Sequence, residues 1–270
     1  MSHKLPLIGG SMFMSKLQAV FENHKAFIPF VTAGDPSAQA TIDQVVALAK
    51  NGADIVELGV PFSDPIADGP VIQAAGLRAF AGGITVEGVF DIVKAIREQT
   101  NVPLVFLTYA NIPFKYGYDA FCARCEELGV YGLVIPDLPE EEADEILTYT
   151  EKHGVDLIPL VSPTSGPRLK KLVRYATGFI YIVSALGVTG QRSSFAQNLD
   201  DLIADLRKVT DAPLCVGFGV HTPEQAKNLA KVADGVIVGS AIVQLAQESD
   251  DAPQAVGDYA KAMVAAIAEA

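Results

Sequence analysis

Glu57 stands in the middle of DIVELGV, a strand-like run otherwise composed for burial. An ionised carboxylate is costly to desolvate, so this one must be salt-bridged, solvated at a strand end, or engaged in chemistry. Strand alternation puts Ile55, Glu57 and Gly59 on one face and Asp54, Val56 and Leu58 on the other. On an inward face near the end of a strand, burial raises a carboxyl pKa and suits it to proton exchange near neutrality. The stretch that follows, VPFSDPIADGP, runs about ten residues, longer than most strand-to-helix connections. It carries Asp64 and Asp68 and is stiffened by Pro61, Pro65 and Pro70. Asp beside Pro and Gly is commonly a cap or turn residue. A loop that brings a second carboxylate over Glu57 would instead create a pair with separable acid and base roles.

The second half of the chain offers an anion site. GVTG (187–190), GFG (217–219) and VGSA (238–241) each follow an apolar run, and a helical pattern begins after the last. Glycines let backbone N–H groups approach an anion, and a helix N-terminus adds a favourable dipole. His3, His24, His153 and His221 show no metal-ligand spacing, and no run ends in a lysine placed for a Schiff base. The chemistry indicated is metal-free acid–base work on a phosphorylated substrate.

Composition bounds the partners. With 270 residues, 50% hydrophobic content and a net charge of −12, the chain can bury a large core. It has no basic stripe for nucleic acid or anionic membrane, and no apolar run approaches a membrane span. Three cysteines are too few for a disulfide framework and fit a reducing, cytoplasmic setting. Cys122 and Cys125 spell CARC, but no second ligand pair follows, so they read as core-facing residues of one helix. Residues 1–14, broken by Pro6 and Gly9-Gly10, read as a loose extension ahead of a single domain over 15–270.

Eight short apolar runs must position these groups, near residues 26, 54, 102, 131, 155, 178, 212 and 234. Between them lie amphipathic segments such as SAQATIDQVVALAKNG, VEGVFDIVKAIREQ and NLDDLIADLRKVT. Continuous apolar strands alternating with helices mean parallel strands covered on both faces. Eight units predict an α/β fold, a single (β/α)₈ TIM barrel, with an extra N-terminal helix over SKLQAVFENH. A doubly wound sheet is the alternative, disfavoured by the lack of a glycine-rich nucleotide turn after the first strand. In a barrel, chemistry belongs at the C-terminal ends of the strands, where Glu57 and the glycine turns fall.

The motifs PFVTAGDP (29–36), ELGVPFSDPIADGP (57–70), YAN (109–111), PDLPEEE (136–142), SALGVTG (184–190), GFGV (217–220) and VGSAIV (238–243) together resemble the tryptophan synthase alpha subunit. The likeness runs from about Ser15 to the C-terminus. It implies retro-aldol cleavage of indole-3-glycerol phosphate to indole and glyceraldehyde 3-phosphate. By the same resemblance, Glu57 is the general acid/base and Asp68 stabilises the charge that develops as the indole N–H is drawn off. Tyr181 packs by the catalytic carboxylate, and Thr189 closes onto Asp68. Phe30, Leu107 and Phe218 wall an indole slot, and Gly190, Gly219, Gly239 and Ser240 cradle the phosphate. No cofactor is implied for this chain. The implied partner is a pyridoxal-phosphate-carrying beta subunit in an α2β2 assembly, and Pro61, Phe62 and Pro65 supply apolar surface for it at the barrel mouth. Phe62 folded inward over the pocket is the alternative. Rival readings are a stand-alone indole-3-glycerol-phosphate lyase, another phosphosugar barrel enzyme, and a non-catalytic barrel that binds a phosphate ligand.

Overall fold

The computed structural model describes residues 15–183, 192–217 and 219–270. In chain order the elements are β1 (Ala26–Thr32), α1 (Ala38–Lys50), β2 (Val56–Gly59), α2 (Pro70–Ala81), α3 (Val86–Arg97), β3 (Leu104–Leu107), α4 (Asn111–Tyr116), α5 (Tyr118–Leu128), β4 (Val130–Val134) and α6 (Ala143–Lys152). The second half contributes β5 (Asp156–Ile158), β6 (Leu160–Val161), α7 (Leu169–Leu172), β7 (Ile180–Val183), α8 (Arg192–Val209), β8 (Leu214–Gly217), α9 (Pro223–Ala230), β9 (Gly235–Val238), α10 (Ser240–Glu248) and α11 (Ala252–Ala268).

All strand pairs are parallel, in the order β5-β4-β3-β2-β1-β9-β8-β7-β6. The fifth apolar run, GVDLIPLV, is therefore two strands where the sequence suggests one. Pro159 has no N–H to give a ladder and divides it, so β5 pairs with β4 while β6 pairs with β7. The barrel still closes there, because the Pro159 carbonyl accepts from the Tyr181 amide at 3.0 Å. The result is the expected TIM barrel.

Alternation divides the apolar residues into two sets. Inside the barrel sit Ala26, Ile28, Ile55, Val105, Val134, Ile158, Phe179, Tyr181, Cys215 and Ile237. The opposite faces of the same strands, among them Phe27, Val31, Leu58, Phe106 and Val236, pack under the helices. Cys122 and Cys125 lie on α5 and are fully buried in that outer layer, where burial pushes the Cys122 thiol up to about 12.

The N-terminal segment departs from expectation. In place of a helix over SKLQAVFENH, only Gln18–Phe21 turn, as a single 3₁₀ turn. Leu17 inserts fully buried into the barrel floor beside Ile158, and Phe21 packs on Phe179 with ring centroids 5.9 Å apart. Ser15 and Gln18 exchange side-chain to backbone hydrogen bonds at 3.3 and 3.1 Å. Packing of these side chains on the floor outweighs a helical preference too short to sustain itself.

Candidate active site

The C-terminal ends of the strands form a cleft lined by Phe30, Glu57, Asp68, Leu107, Tyr181, Gly219, Gly239 and Ser240. Glu57 pairs with Phe30 on β1 and Val105 on β3, two residues deeper than Gly59. It is 2% exposed, its Oε1 has no hydrogen-bond partner among the described residues, and no described cation pairs with it. Burial first, and the neighbouring Asp68 second, raise its pKa to about 8. Near neutrality Glu57 therefore holds a proton it can release.

The ten residues between β2 and α2 carry Asp68 over this carboxyl. The Tyr109 hydroxyl donates to Asp68 Oδ1 at 3.0 Å and accepts from the Ala67 amide at 3.1 Å. Gln73 Nε2 donates to the Asp68 carbonyl at 2.8 Å. Partial burial raises the Asp68 pKa, opposed by the Tyr109 hydrogen bond. Tyr109 is held in turn from the loop after β4, because Asp137 Oδ1 accepts from the adjacent Ala110 amide at 2.8 Å. Arg78 on α2 forms a two-pronged pair with Asp35 at 2.7 and 2.8 Å, tying the helix after the loop to the turn after β1.

Two glycines make room for the aromatic walls. A Cβ at Gly59 would collide with the Phe30 ring, and one at Gly217 would lie 2.7 Å from the Tyr181 hydroxyl oxygen. Burial, then the nearby Glu57, holds the Tyr181 hydroxyl far above its ordinary pKa, so it stays protonated beside that carboxyl. Ala75 and Val243, on α2 and α10, pack against Phe30 behind the cleft.

The far side of the cleft is polar backbone. α1, α3, α9 and α11 are each capped by a side chain, from Ser37, Thr85, Thr222 and Asp251. α10 begins after Gly239 with no side-chain cap, and Gly239 and Ser240 face the cleft. Its first N–H groups are thus available to an anion.

Thr189, Gly190 and Phe218 lie outside the described residues. Pro61, Phe62 and Pro65 line a smaller cavity next to the cleft. Phe62 is half-buried and stacks on Tyr109, ring centroids 5.0 Å apart and planes 19° apart, while Ile66 is the loop residue left 80% exposed. Sequence reasoning passed over Tyr109, Ile72, Pro136 and Leu160. Alternation along DLIPL places Leu160 on the same face as Ile158, and Tyr109 opens the YAN motif; no sequence signal pairs Tyr109 with Asp68.

Fold and cleft define a class, a (β/α)₈-barrel enzyme with a buried proton-holding carboxyl and a second carboxylate poised above it. The comparisons narrow it further. The chain belongs to the tryptophan synthase alpha chain family, whose model matches residues 15–270. It is 58% identical over 257 residues to the tryptophan synthase alpha chain of Lacticaseibacillus casei, covering 95% of this chain and 97% of that one. It is 52% identical over 255 residues to that of Lactiplantibacillus plantarum, covering 94% and 97%. Among solved structures it resembles tryptophan synthase subunit alpha from Legionella pneumophila, with a TM-score of 0.88, 36% identity and coverage of 96% and 100%. A tryptophan synthase chain from Mycobacterium tuberculosis gives a TM-score of 0.87, 37% identity and coverage of 95% and 99%.

Proposed function

We propose that this chain is the alpha subunit of a tryptophan synthase, cleaving indole-3-glycerol phosphate to indole and glyceraldehyde 3-phosphate. One observation carries the chemical reading: Glu57 is buried, has an oxygen with no partner among the described residues and holds its proton to about pH 8, in the same cleft as Asp68. The protonated Glu57 delivers its proton to the ring carbon that bears the glycerol chain, while the Asp68 carboxylate draws on the indole N–H. The Glu57 carboxylate so formed takes the proton of the adjacent glycerol hydroxyl. The carbon–carbon bond then breaks, its electron pair returns to the indole ring, and an aldehyde is left on the other fragment. Each carboxyl ends in the state in which it began, so the cycle needs no cofactor in this chain.

Phe30 and Leu107 hold the flat ring, and Tyr181 packs against Glu57. The phosphate is held at the uncapped start of α10 by Gly239 and Ser240, with Gly219 opposite. The partner is a beta subunit carrying pyridoxal phosphate, in an α2β2 assembly in the cytoplasm. It docks on the loop rim at Pro61, Phe62 and Pro65. The stacking of Phe62 on Tyr109, which hydrogen-bonds Asp68, supports a link from that rim to the carboxylate.

Indole release from indole-3-glycerol phosphate by the pure chain, titrated with beta subunit, tests the reading. Turnover that rises with beta subunit, together with co-migration on size exclusion, is expected. Turnover indifferent to it would favour a stand-alone lyase, and none under either condition would leave a non-catalytic barrel.

A further inference from the structure

A second cavity, of about 20 Å³, adjoins the cleft and shares four of its walls, Phe30, Asp68, Ile72 and Leu107. Thr32 also lines it. This residue is the next inward position on β1 after Phe30, paired in register with Gly59. Thr32 is 5% exposed, and its Oγ1 has no hydrogen-bond partner among the described residues. Leaving a buried hydroxyl unpaired costs about 1–3 kcal/mol, whereas an apolar group of the same shape would cost little. A threonine here is accounted for by a group in the cavity that uses the hydroxyl, a water or a substituent of the ligand. Of its polar neighbours, Gln73 Nε2 is engaged by the Asp68 carbonyl and Asp68 Oδ1 by Tyr109.

Size restricts what enters. A group as large as one water needs roughly 10–15 Å³, so the cavity takes a single hydroxyl-sized group and not a second ring. Position restricts it further. Phe30 and Leu107 wall both spaces, so a group reaching Thr32 from the cleft must be carried on the edge of whatever flat ring lies between them. We propose that this cavity is a substrate subsite in which Thr32 hydrogen-bonds a hydroxyl on the carbocyclic ring of the indole, so that the chain accepts ring-hydroxylated indoleglycerol phosphates. The inference rests on the indole reading of the cleft. When the unsubstituted ring is bound, one water serves Thr32 equally well. The preference for the hydroxyl is therefore measured against displacement of that water, and is smaller than for a dry site.

The test is condensation of glyceraldehyde 3-phosphate with indole and with indoles hydroxylated at each carbocyclic carbon in turn, by the parent, Thr32→Val and Thr32→Ser. For at least one hydroxyindole, the parent kcat/KM should lie within about tenfold of that for indole. Thr32→Val should lower that hydroxyindole-to-indole ratio by at least about tenfold, and Thr32→Ser, which keeps the hydroxyl, should retain it. A parent that rejects every hydroxyindole, a smaller shift in the valine variant, or a serine variant that falls with valine each overturns the subsite. If Thr32→Val does not fold, calorimetric titration of the parent decides. One hydroxyindole binding at least as tightly as indole supports the subsite, and weaker binding of all of them overturns it. No turnover with indole itself would be a failure of the indole reading, and the titration would still judge the cavity.

Discussion

Two carboxyl groups are buried at opposite ends of the barrel, Glu57 toward the mouth and Asp156 at the start of β5 near the floor. Burial raises the pKa of both, to about 8 and about 6. The difference lies in their company. Asp156 receives hydrogen bonds from Ser15 and Thr177, which oppose the rise. Glu57 Oε1 has no partner among the described residues, and Glu57 faces a second carboxylate, which adds to the rise. The floor around Asp156 is plugged by Leu17, while the mouth around Glu57 opens into a cleft. Burial alone does not distinguish a structural carboxylate from a chemical one. Whether the surroundings satisfy the charged form does.

The largest test of that contrast is Glu57→Gln against Asp156→Asn. Glu57→Gln should lower kcat about a hundred- to ten-thousand-fold, and Asp156→Asn should stay within about threefold, since Asp156 is far from the cleft. Stability should move the other way for Glu57. Its folded pKa is raised, so its contribution is present below the unfolded value of 4.5 and is lost as pH rises through about 8. Glu57→Gln removes that loss and should raise unfolding stability near pH 8 by about 1–3 kcal/mol, read by urea titration. Equal rate losses in the two variants would end the distinction between mouth and floor.

Truncation sharpens the comparison in stability alone. Leu17→Ala opens a void in the floor and should cost about 2–5 kcal/mol in urea unfolding. Ile66→Ala, at the exposed tip of the mouth loop, should stay within about 0.5 kcal/mol. Tyr109→Phe comes next. It removes the donor to Asp68 and the acceptor for the Ala67 amide, and should reduce kcat/KM about tenfold with little change in thermal midpoint. A Tyr109→Phe enzyme as active as its parent would show that Asp68 is positioned by the loop backbone alone.

The smallest expected effect is in pH dependence. In the proposed cycle Glu57 starts with its proton, so kcat/KM should fall as pH rises through about 8. Asp68→Asn removes a negative neighbour and should move the Glu57 titration, followed by carboxyl-carbon NMR, to lower pH. A titration that stays in place would leave desolvation as the only cause of the raised value.

Much of this molecule is legible without a structure. Eight apolar runs separated by amphipathic segments are buried as parallel strands under helices, and eight such units with no glycine-rich nucleotide turn favour a barrel over a doubly wound sheet. A glutamate inside such a run, a long proline-stiffened loop after it, and glycine turns after later runs mark the mouth, because each conflicts with ordinary burial or ordinary loop length. The floor plug, the break at Pro159, the hydrogen bond from Tyr109 to Asp68 and the stacking of Phe62 on Tyr109 came only with the tertiary structure. So did the absence, among the described residues, of partners for Glu57 Oε1 and Thr32 Oγ1. Periodicity along the chain reports which face of an element is buried, since that depends on neighbours a few residues away. Which groups meet across 41 residues, as Tyr109 and Asp68 do, and whether a buried oxygen finds a donor, depend on how separate strand ends converge in space. The proton affinity of Glu57 belongs to that second kind, because it is set by the water and charge that closure of the barrel removes or brings near.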